Sequence, residues 1–320
     1  MCAWGAGRSA MSDGLAASGG RGALPAGSGE AESLATERPV SPWRLALRRF
    51  LRRRPAVISA VVLVVIVAGA VFADWIAPFG PVEQNLDDIL ASPDGTYLLG
   101  TDTLGRDNLS RILHGGRVSL LVGVMVALIA GGVGTVVGIV AGYFGGLLDA
   151  VLMRLTDTLL ALPGLMIVIV AARLLGDGVW DVVIVLSGIA WMALARIVRG
   201  KVLALKEQEF VEAARALGVP RWQIMRRHLL PNLVGEITVT ASLTVAAAIL
   251  AESTLSFLGL GVSPTHTATW GNMLGGNEGF VITAPWLVWA PGLAIVITAL
   301  CVNFIGDGLR DSLDPTQEEL

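Results

Sequence analysis

Charge is scarce in this sequence, and that scarcity excludes an ordinary soluble domain. Only 15% of the 320 residues are Asp, Glu, Lys or Arg, whereas soluble domains carry about 25%. Hydrophobic residues make up 54% of the chain. The net charge of −3 gives no electrostatic reason to expect a nucleic acid partner. Because the apolar residues gather in long runs, the sequence indicates a membrane protein.

Residues suited to cofactors, metals and disulfides are also few. The chain has two cysteines, too few and too far apart to predict a disulfide framework. His114, His228 and His266 are distant in sequence and have no neighbouring ligands at metal spacing, so we expect no metal site. The G-x-x-x-x-G-K-[ST] phosphate loop is missing as well. We therefore expect neither catalytic residues nor a bound cofactor in this chain.

Apolar runs long enough to cross a bilayer as helices, about 20 residues each, occur six times. They cover residues 55–73, 118–140, 155–175, 179–197, 233–262 and 286–306. Charge interrupts or flanks the third and fourth runs, so a five-span alternative remains open. Pro163 and Pro291 are predicted to bend the third and sixth spans. Gly134, Gly138 and Gly142 share one face of the second span and predict close packing with a neighbouring helix.

The placement of Arg and Lys predicts the orientation, because loops rich in these residues stay in the cytoplasm. Residues 1–40, rich in Gly, Ala, Ser and Glu, are predicted to be a disordered cytoplasmic tail. Residues 41–114 would hold the first span and an external loop. Residues 115–311 would form a five-helix core with a basic cytoplasmic loop at 199–232, and residues 312–320 a second cytoplasmic tail.

The basic loop is too polar to cross the membrane and too long for a tight turn. Residues 210–217 predict a short helix, which Gly218 would end in the left-handed conformation. Pro220 suits the first turn of a second helix, whose apolar side would be Trp222, Ile224 and Met225. We expect Ala213, Ala214 and Leu217 to share one face of the first helix. Such a face would contact a cytoplasmic partner or rest on lipid head groups, and the pattern alone leaves both open.

Several motifs resemble those of one transporter family. Residues 212–231 read EAA, three residues, Gly, nine residues and HLLP, which resembles the EAA motif of bacterial ABC importer permeases, with His228 where isoleucine is frequent. Five further segments, LGTDTLGRD, AGYFGG, LSFLGLG, WGNML and GDGLRD, are similar to signatures of the dipeptide, oligopeptide and nickel permeases. They are residues 99–107, 141–146, 255–261, 270–274 and 306–311. The resemblance covers residues 41–316 and is closest to the shorter, C-type subunit.

The resemblance implies an all-α, six-span permease of the type I ABC importer class in the cytoplasmic (inner) membrane. It implies a heterodimer with a second permease, an extracytoplasmic substrate-binding protein, and two cytoplasmic ABC ATPase subunits that use ATP and Mg. The cargo would be dipeptides or short oligopeptides, with nickel or another small cargo as the alternative. Six residues would couple the chain to the ATPases: Glu212, Ala213, Ala214, Leu217, Gly218 and Pro231.

Two acids inside apolar runs have roles that the sequence leaves open. Glu252 and Asp157 should face protein rather than lipid, because a charge in lipid is expensive. Glu252, flanked by Ser253 and Ser256, would line a substrate path or form a hydrogen bond between helices, and we expect the structural role. A proton-coupled secondary transporter that uses both acids is one rival function. A membrane enzyme is another, although no nucleophile–base set is found.

A polar turn follows the first span. Asp102, Arg106 and Asp107 belong to the nine-residue LGTDTLGRD signature. They would dock the binding protein or gate the outer mouth, or they would only hold the turn together through an internal Asp–Arg pair. We favour the internal pair.

Deletion of residues 2–40 should leave assembly and transport intact, because this composition cannot repay the entropy lost on ordering the chain. Copurification of the transport complex and uptake by the truncated protein would measure both. Loss of complex formation would show instead that the tail binds a partner.

Overall fold

The computed structural model describes residues 42–265 and 267–313. The predicted N-terminal tail, His266 and most of the predicted C-terminal tail therefore lie outside the described residues. Within the described ranges the chain is helical apart from its loops, and the one isolated β-bridge pairs Thr101 with Asp107. This is the all-α class that the apolar runs predict.

The described residues form helices of very different lengths. In chain order they are α1 (Pro42–Arg52), α2 (Arg54–Val71), α3 (Ala73–Ile76), α4 (Asn108–Phe144), α5 (Gly146–Leu160), α6 (Gly164–Leu175), α7 (Val179–Leu205), α8 (Glu209–Ala216), α9 (Arg221–Ile224), α10 (Leu230–Phe257), α11 (Trp270–Leu274) and α12 (Trp286–Leu313). Two 3₁₀ turns, Leu86–Asp88 and Glu278–Phe280, lie in the loops, and a π turn, Met225–Leu229, joins α9 to α10.

Five helical segments of the described chain are long and apolar enough to span a membrane: α2, α4, α7, α10 together with α9 and the π turn before it, and α12. The predicted third span is different, because α5 and α6 meet at 90°. Pro163 lacks an N–H and restricts the residue before it, so α5 ends before this proline and α6 begins after it. The bend predicted there is a complete break, whereas α12 continues through Pro291.

The broken pair still connects opposite ends of the bundle. At one end, Asp149 of α5 accepts two hydrogen bonds from Arg199 of α7, at 2.5 and 2.7 Å. At the other end, the N–H of Ser263 donates to the carbonyl of Asp177, just before α7, at 3.1 Å. About 22 residues of nearly continuous helix, or about 33 Å, separate Asp177 from Arg199. Because its two ends lie at opposite ends of the bundle, the α5–α6 pair crosses the bundle once, and the chain follows the predicted six-span path.

Two helices extend well beyond the apolar runs that predicted them. α4 begins at Asn108 instead of residue 118, and Asp107 caps it by accepting from the Ser110 N–H at 2.8 Å. α7 continues to Leu205, so the basic loop begins at residue 206 and not at 199. Hydropathy marks only the part of a helix that suits lipid, whereas backbone hydrogen bonding continues into polar sequence.

Among the described helices, α4 and α7 make the most extensive contact, and the three glycines of α4 explain it. A Cβ on Gly134 would approach the Trp191 carbonyl oxygen at 2.7 Å. One on Gly138 would approach the Ala195 carbonyl oxygen at 2.6 Å. The close packing predicted from glycine spacing is confirmed, and it brings two backbones together where a larger residue would hold them apart.

Gly138→Ala should loosen this helix pair, because overpacking a tight contact costs about 1–3 kcal/mol. Gly132→Ala is the matched control, since Gly132 is exposed on the same helix and a Cβ there meets nothing within 4 Å. The thermal midpoint of the detergent-solubilised protein should fall in the Gly138 variant only. Equal midpoints for the two variants would contradict a packing role for the glycine face.

Candidate functional site

The EAA loop, residues 206–229, consists of two short helices joined by a tight turn. α8 ends at Ala216, and Gly218 adopts the predicted left-handed conformation with φ of +75°. The N–H groups of Gly218 and Val219 donate to the carbonyls of Arg215 and Ala214, at 3.0 and 3.1 Å, which closes the end of α8. α9 follows Pro220, and the π turn carries the chain directly into α10. The loop is therefore rigidly continuous with a membrane helix.

One face of α8 packs on the bundle and the other faces away from it. Val211 and Ala214, three residues apart, are buried in a cluster with apolar residues of α4, α7 and α10. Ala213 and Leu217 point away, and Leu217 is 84% exposed. The prediction that both alanines share a face with Leu217 is wrong, because adjacent helical residues are about 100° apart. Phe210, Ala213 and Leu217, spaced by three and four, form what we call the exposed face of α8.

The other predictions for the EAA loop are likewise confirmed for some residues and wrong for others. Ile224 and Met225 are buried as the apolar side of the second helix, but Trp222, predicted to join them, is 68% exposed. Glu212 is exposed beside Ala213, and Pro231 is exposed in the first turn of α10. The loop thus leaves large apolar groups uncovered, although enough apolar residues lie beneath it to hold it in place.

Glu252 is completely buried, as predicted for an acid in a membrane helix. Ser256 donates to its Oε1 at 2.8 Å, and Ser119 of α4 donates to its Oε2 at 3.3 Å. Ser253 lies 3.5 Å from Oε2. Ser119 also accepts the backbone N–H of Trp270 at 3.2 Å. One carboxylate therefore links α10 to α4 and, through Ser119, to α11.

This network favours the structural role for Glu252. Among the described residues Glu252 forms no ion pair, and its hydrogen-bond partners are hydroxyl groups. Ser253 and Ser256 flank Glu252 in the sequence, whereas Ser119 and Trp270 lie far away along the chain and were not predicted to take part. The WGNML signature was the only signal for Trp270, whose side chain is buried against α4.

We call residues 99–107, which are predicted to be external, the outer turn, and this turn is held together by contacts among its own residues and with Arg111. Asp102 Oδ2 pairs with Arg106 Nε at 2.7 Å and also with Arg111. Its Oδ1 accepts the N–H groups of Leu104 and Arg106, each at 2.9 Å. Asp107 caps α4, and Arg106 reaches the Pro264 carbonyl at 3.4 Å. The expected Asp–Arg pair is present, and docking to a binding protein stays a prediction.

Arg111 is the residue of this turn that sequence reasoning missed. Only 3% of its side chain is exposed, although it lies in the segment predicted to be external. Its position one helical turn after Asp107, at the start of α4, was the available signal. Two arginines therefore share one carboxylate, Asp102, at the end of the bundle predicted to be external.

The other singled-out polar residues are paired at the ends of helices. Asp157 of α5 forms an ion pair with Arg196 of α7 at 2.5 Å. His114 contacts Asp74 at 3.1 Å, and Arg117 contacts the same carboxylate at 2.8 Å. Hydrogen bonds from Arg117 and then His114 hold the pKa of Asp74 below its ordinary value. These pairs tie α5 to α7, and α3 to α4.

Comparison with known proteins identifies two family models that match the chain. One, described as a binding-protein-dependent transport system inner membrane component, matches residues 134–319. The other, described as the N-terminal TM domain of oligopeptide transport permease C, matches residues 41–93. The two matches together include most of the chain outside the N-terminal tail.

Individual relatives are similar over most of their length. The oligopeptide transport system permease protein OppC of Haemophilus influenzae is 43% identical over 277 residues, which are 86% of this chain and 89% of the relative. The glutathione transport system permease protein GsiD of Pectobacterium atrosepticum is 39% identical over 276 residues, 86% of this chain and 91% of the relative.

Glu252→Gln should preserve assembly and transport, because the amide keeps the shape and one oxygen acceptor for the surrounding hydroxyls. Glu252→Ala should lower the thermal midpoint of the solubilised protein, since each buried polar group that loses its partner costs about 1–3 kcal/mol. Melting curves and uptake assays measure the two effects. A Gln variant that assembles and supports ATP hydrolysis but does not transport would show that the carboxylate handles cargo.

Proposed function

Because the chain belongs to the family of binding-protein-dependent transport system inner membrane components, we propose that it is a permease subunit that imports peptides. Its relatives are named as oligopeptide and glutathione permeases, and glutathione is itself a short peptide. Dipeptides or short oligopeptides are therefore the proposed cargo in preference to nickel. An EAA loop and membership of a multi-component system also argue against a self-sufficient proton-coupled transporter.

The exposed face of α8 is the proposed docking site for a cytoplasmic ATPase subunit. Leu217 is 84% exposed and Phe210 is 42% exposed, although both lie in a polar, basic loop. Apolar groups left uncovered in such a setting mark a partner surface. Glu212 is exposed beside them and supplies a charge for the partner. Val211 and Ala214, buried beneath, hold the helix against α4, α7 and α10.

The proposed assembly contains this chain, a second permease, two ATPase subunits and an extracytoplasmic binding protein. ATP and Mg are used by the ATPase subunits, and this chain contributes no catalytic residue. Both termini are cytoplasmic in this proposal. Arg53 before α2 pairs with Asp311 near the end of α12 at 2.5 Å, so the two ends of the described chain meet at the basic side of the bundle.

Transport would proceed by moving the EAA loop. Closure of the ATPase subunits around ATP displaces α8, and the loop transfers this displacement to α10 because the π turn leaves no flexible linker between them. α10 carries Glu252, which is bound to α4 through Ser119. Packed helices of this kind move as units between discrete arrangements. The path between the two permeases would then open to the opposite side of the membrane.

Gly218→Val should uncouple ATP hydrolysis from transport. A non-glycine residue in the left-handed conformation costs about 1–2 kcal/mol, and the added strain would change how α8 leads into α9. Gly200→Val is the matched control, because Gly200 is exposed in α7 and a Cβ there meets nothing within 4 Å. Peptide uptake and peptide-stimulated ATP hydrolysis are measured in proteoliposomes that contain all subunits.

A second variant separates docking from local folding. Leu217→Asp changes a side chain that is already exposed, so α8 should still fold, but copurification of the ATPase subunits should fall. Normal copurification and uptake in both the Leu217 and Gly218 variants would exclude the docking role and favour the lipid-surface alternative. Uptake of nickel without any uptake of peptides would overturn the proposed cargo.

A further inference from the structure

The AGYFGG segment, residues 141–146, lies at the C-terminal end of α4, the longest helix among the described residues. Its first two residues pack on α7, where a Cβ on Gly142 would approach Val202 Cβ at 2.8 Å. Its last two residues, Gly145 and Gly146, have φ of +64° and +58°, which only glycine adopts readily. The chain therefore turns sharply after Phe144, and this turn fixes where α4 ends.

The two aromatic residues between these glycines contact both short helices of the EAA loop. The rings of Tyr143 and Phe144 are perpendicular, with centroids 5.5 Å apart. The guanidinium of Arg215, in the last turn of α8, lies 5.4 Å from the centre of the Tyr143 ring. That of Arg221, at the start of α9, lies 6.0 Å from the centre of the Phe144 ring. One helix end thus holds the loop on both sides of the Gly218 turn.

These contacts are more specific than the role of Arg and Lys in setting membrane orientation requires. Arg215 and Arg221 form no ion pair with other described residues, and with the two aromatic residues they line an open cleft of about 540 Å³. A basic loop that only sets orientation needs no aromatic surface beneath its arginines. An arginine stacked on a ring gains a cation–π attraction that lysine does not reproduce with the same planar geometry.

α4 also reaches the opposite end of the bundle. It contains 37 residues, which at 1.5 Å each extend about 55 Å. Asp107 caps its first turn, and Ser119 binds Glu252 within its outer third. A displacement applied at Tyr143 and Phe144 therefore acts on a single continuous helix that leads to the outer turn.

We propose that Tyr143 and Phe144 are positioning residues that transmit the movement of the EAA loop to α4 through Arg215 and Arg221. This inference rests on the proposed function, because it needs an ATPase that moves the loop. It adds a second route to the direct connection between the loop and α10. The two routes together would move α4 and α10 as a pair and keep the Glu252–Ser119 contact intact.

The test compares ring-removing with ring-preserving substitutions in the full transport complex. Tyr143→Leu and Phe144→Leu keep apolar volume but remove the aromatic face, whereas Tyr143→Phe keeps it. Peptide transported per ATP hydrolysed should fall by about threefold or more in the double Leu variant and stay near the unmodified value with Tyr143→Phe. Phe72→Leu is the control, because Phe72 is as exposed as Phe144, 45%, and stacks on Trp75 away from the EAA loop.

The transport-to-hydrolysis ratio separates transmission from simple damage. A purely structural loss would lower complex yield, hydrolysis and uptake together and leave the ratio unchanged, which would overturn the proposal. An unchanged ratio with normal yield would overturn it as well. An Arg215→Lys variant should lower the ratio despite its retained charge. Failure of the unmodified complex to bind ATPase subunits or transport peptide would refute the proposed function itself, and that result is visible before any variant is compared.

Discussion

The constraint on which this structure depends is the need to satisfy every backbone polar group without water. In a bilayer, an isolated segment meets this need by forming a helix. The long apolar segments of the described chain are helical. Helices in lipid gain little from hydrophobic association, so close backbone approach and a few polar contacts hold them together. The glycine face of α4 and the buried Glu252 supply these two kinds of contact.

The two contacts make α4 the central element of the fold. On one side its glycines lie against α7, and on another its Ser119 reaches Glu252 of α10. Its N-terminal end is fixed by the cluster of Asp102, Arg106 and Arg111, and its C-terminal end contacts the EAA loop through Tyr143 and Phe144. One continuous helix therefore has contacts at both ends of the bundle and with two other helices between them.

The sequence predicted features that depend on composition or on one backbone conformation. Hydropathy located the spans, glycine spacing identified the packed face, and Gly218 marked the end of α8. Prediction from the sequence failed for features that depend on contacts with residues distant along the chain. Neither the exposure of Trp222 nor the burial of Arg111 could be predicted, because each depends on which distant elements pack against it. The 90° break at Pro163 was underestimated, since proline removes one hydrogen bond but tertiary contacts decide how far the chain then turns.

The break between α5 and α6 leaves irregular backbone at residues 161–163. Irregular backbone at membrane depth is tolerated only where protein covers it or where it lines a water-filled cavity. The Asp157–Arg196 pair beside the break is 57% and 44% exposed in its side chains, and charges of this kind do not face lipid. Arg196 lies three residues before Arg199, whose contact with Asp149 is at one end of the bundle, so water at that end or a partner chain would keep the ion pair out of lipid. In the assembly proposed above, a second permease packed against this side of the bundle would cover the broken span and leave the ion pair at a protein or water boundary.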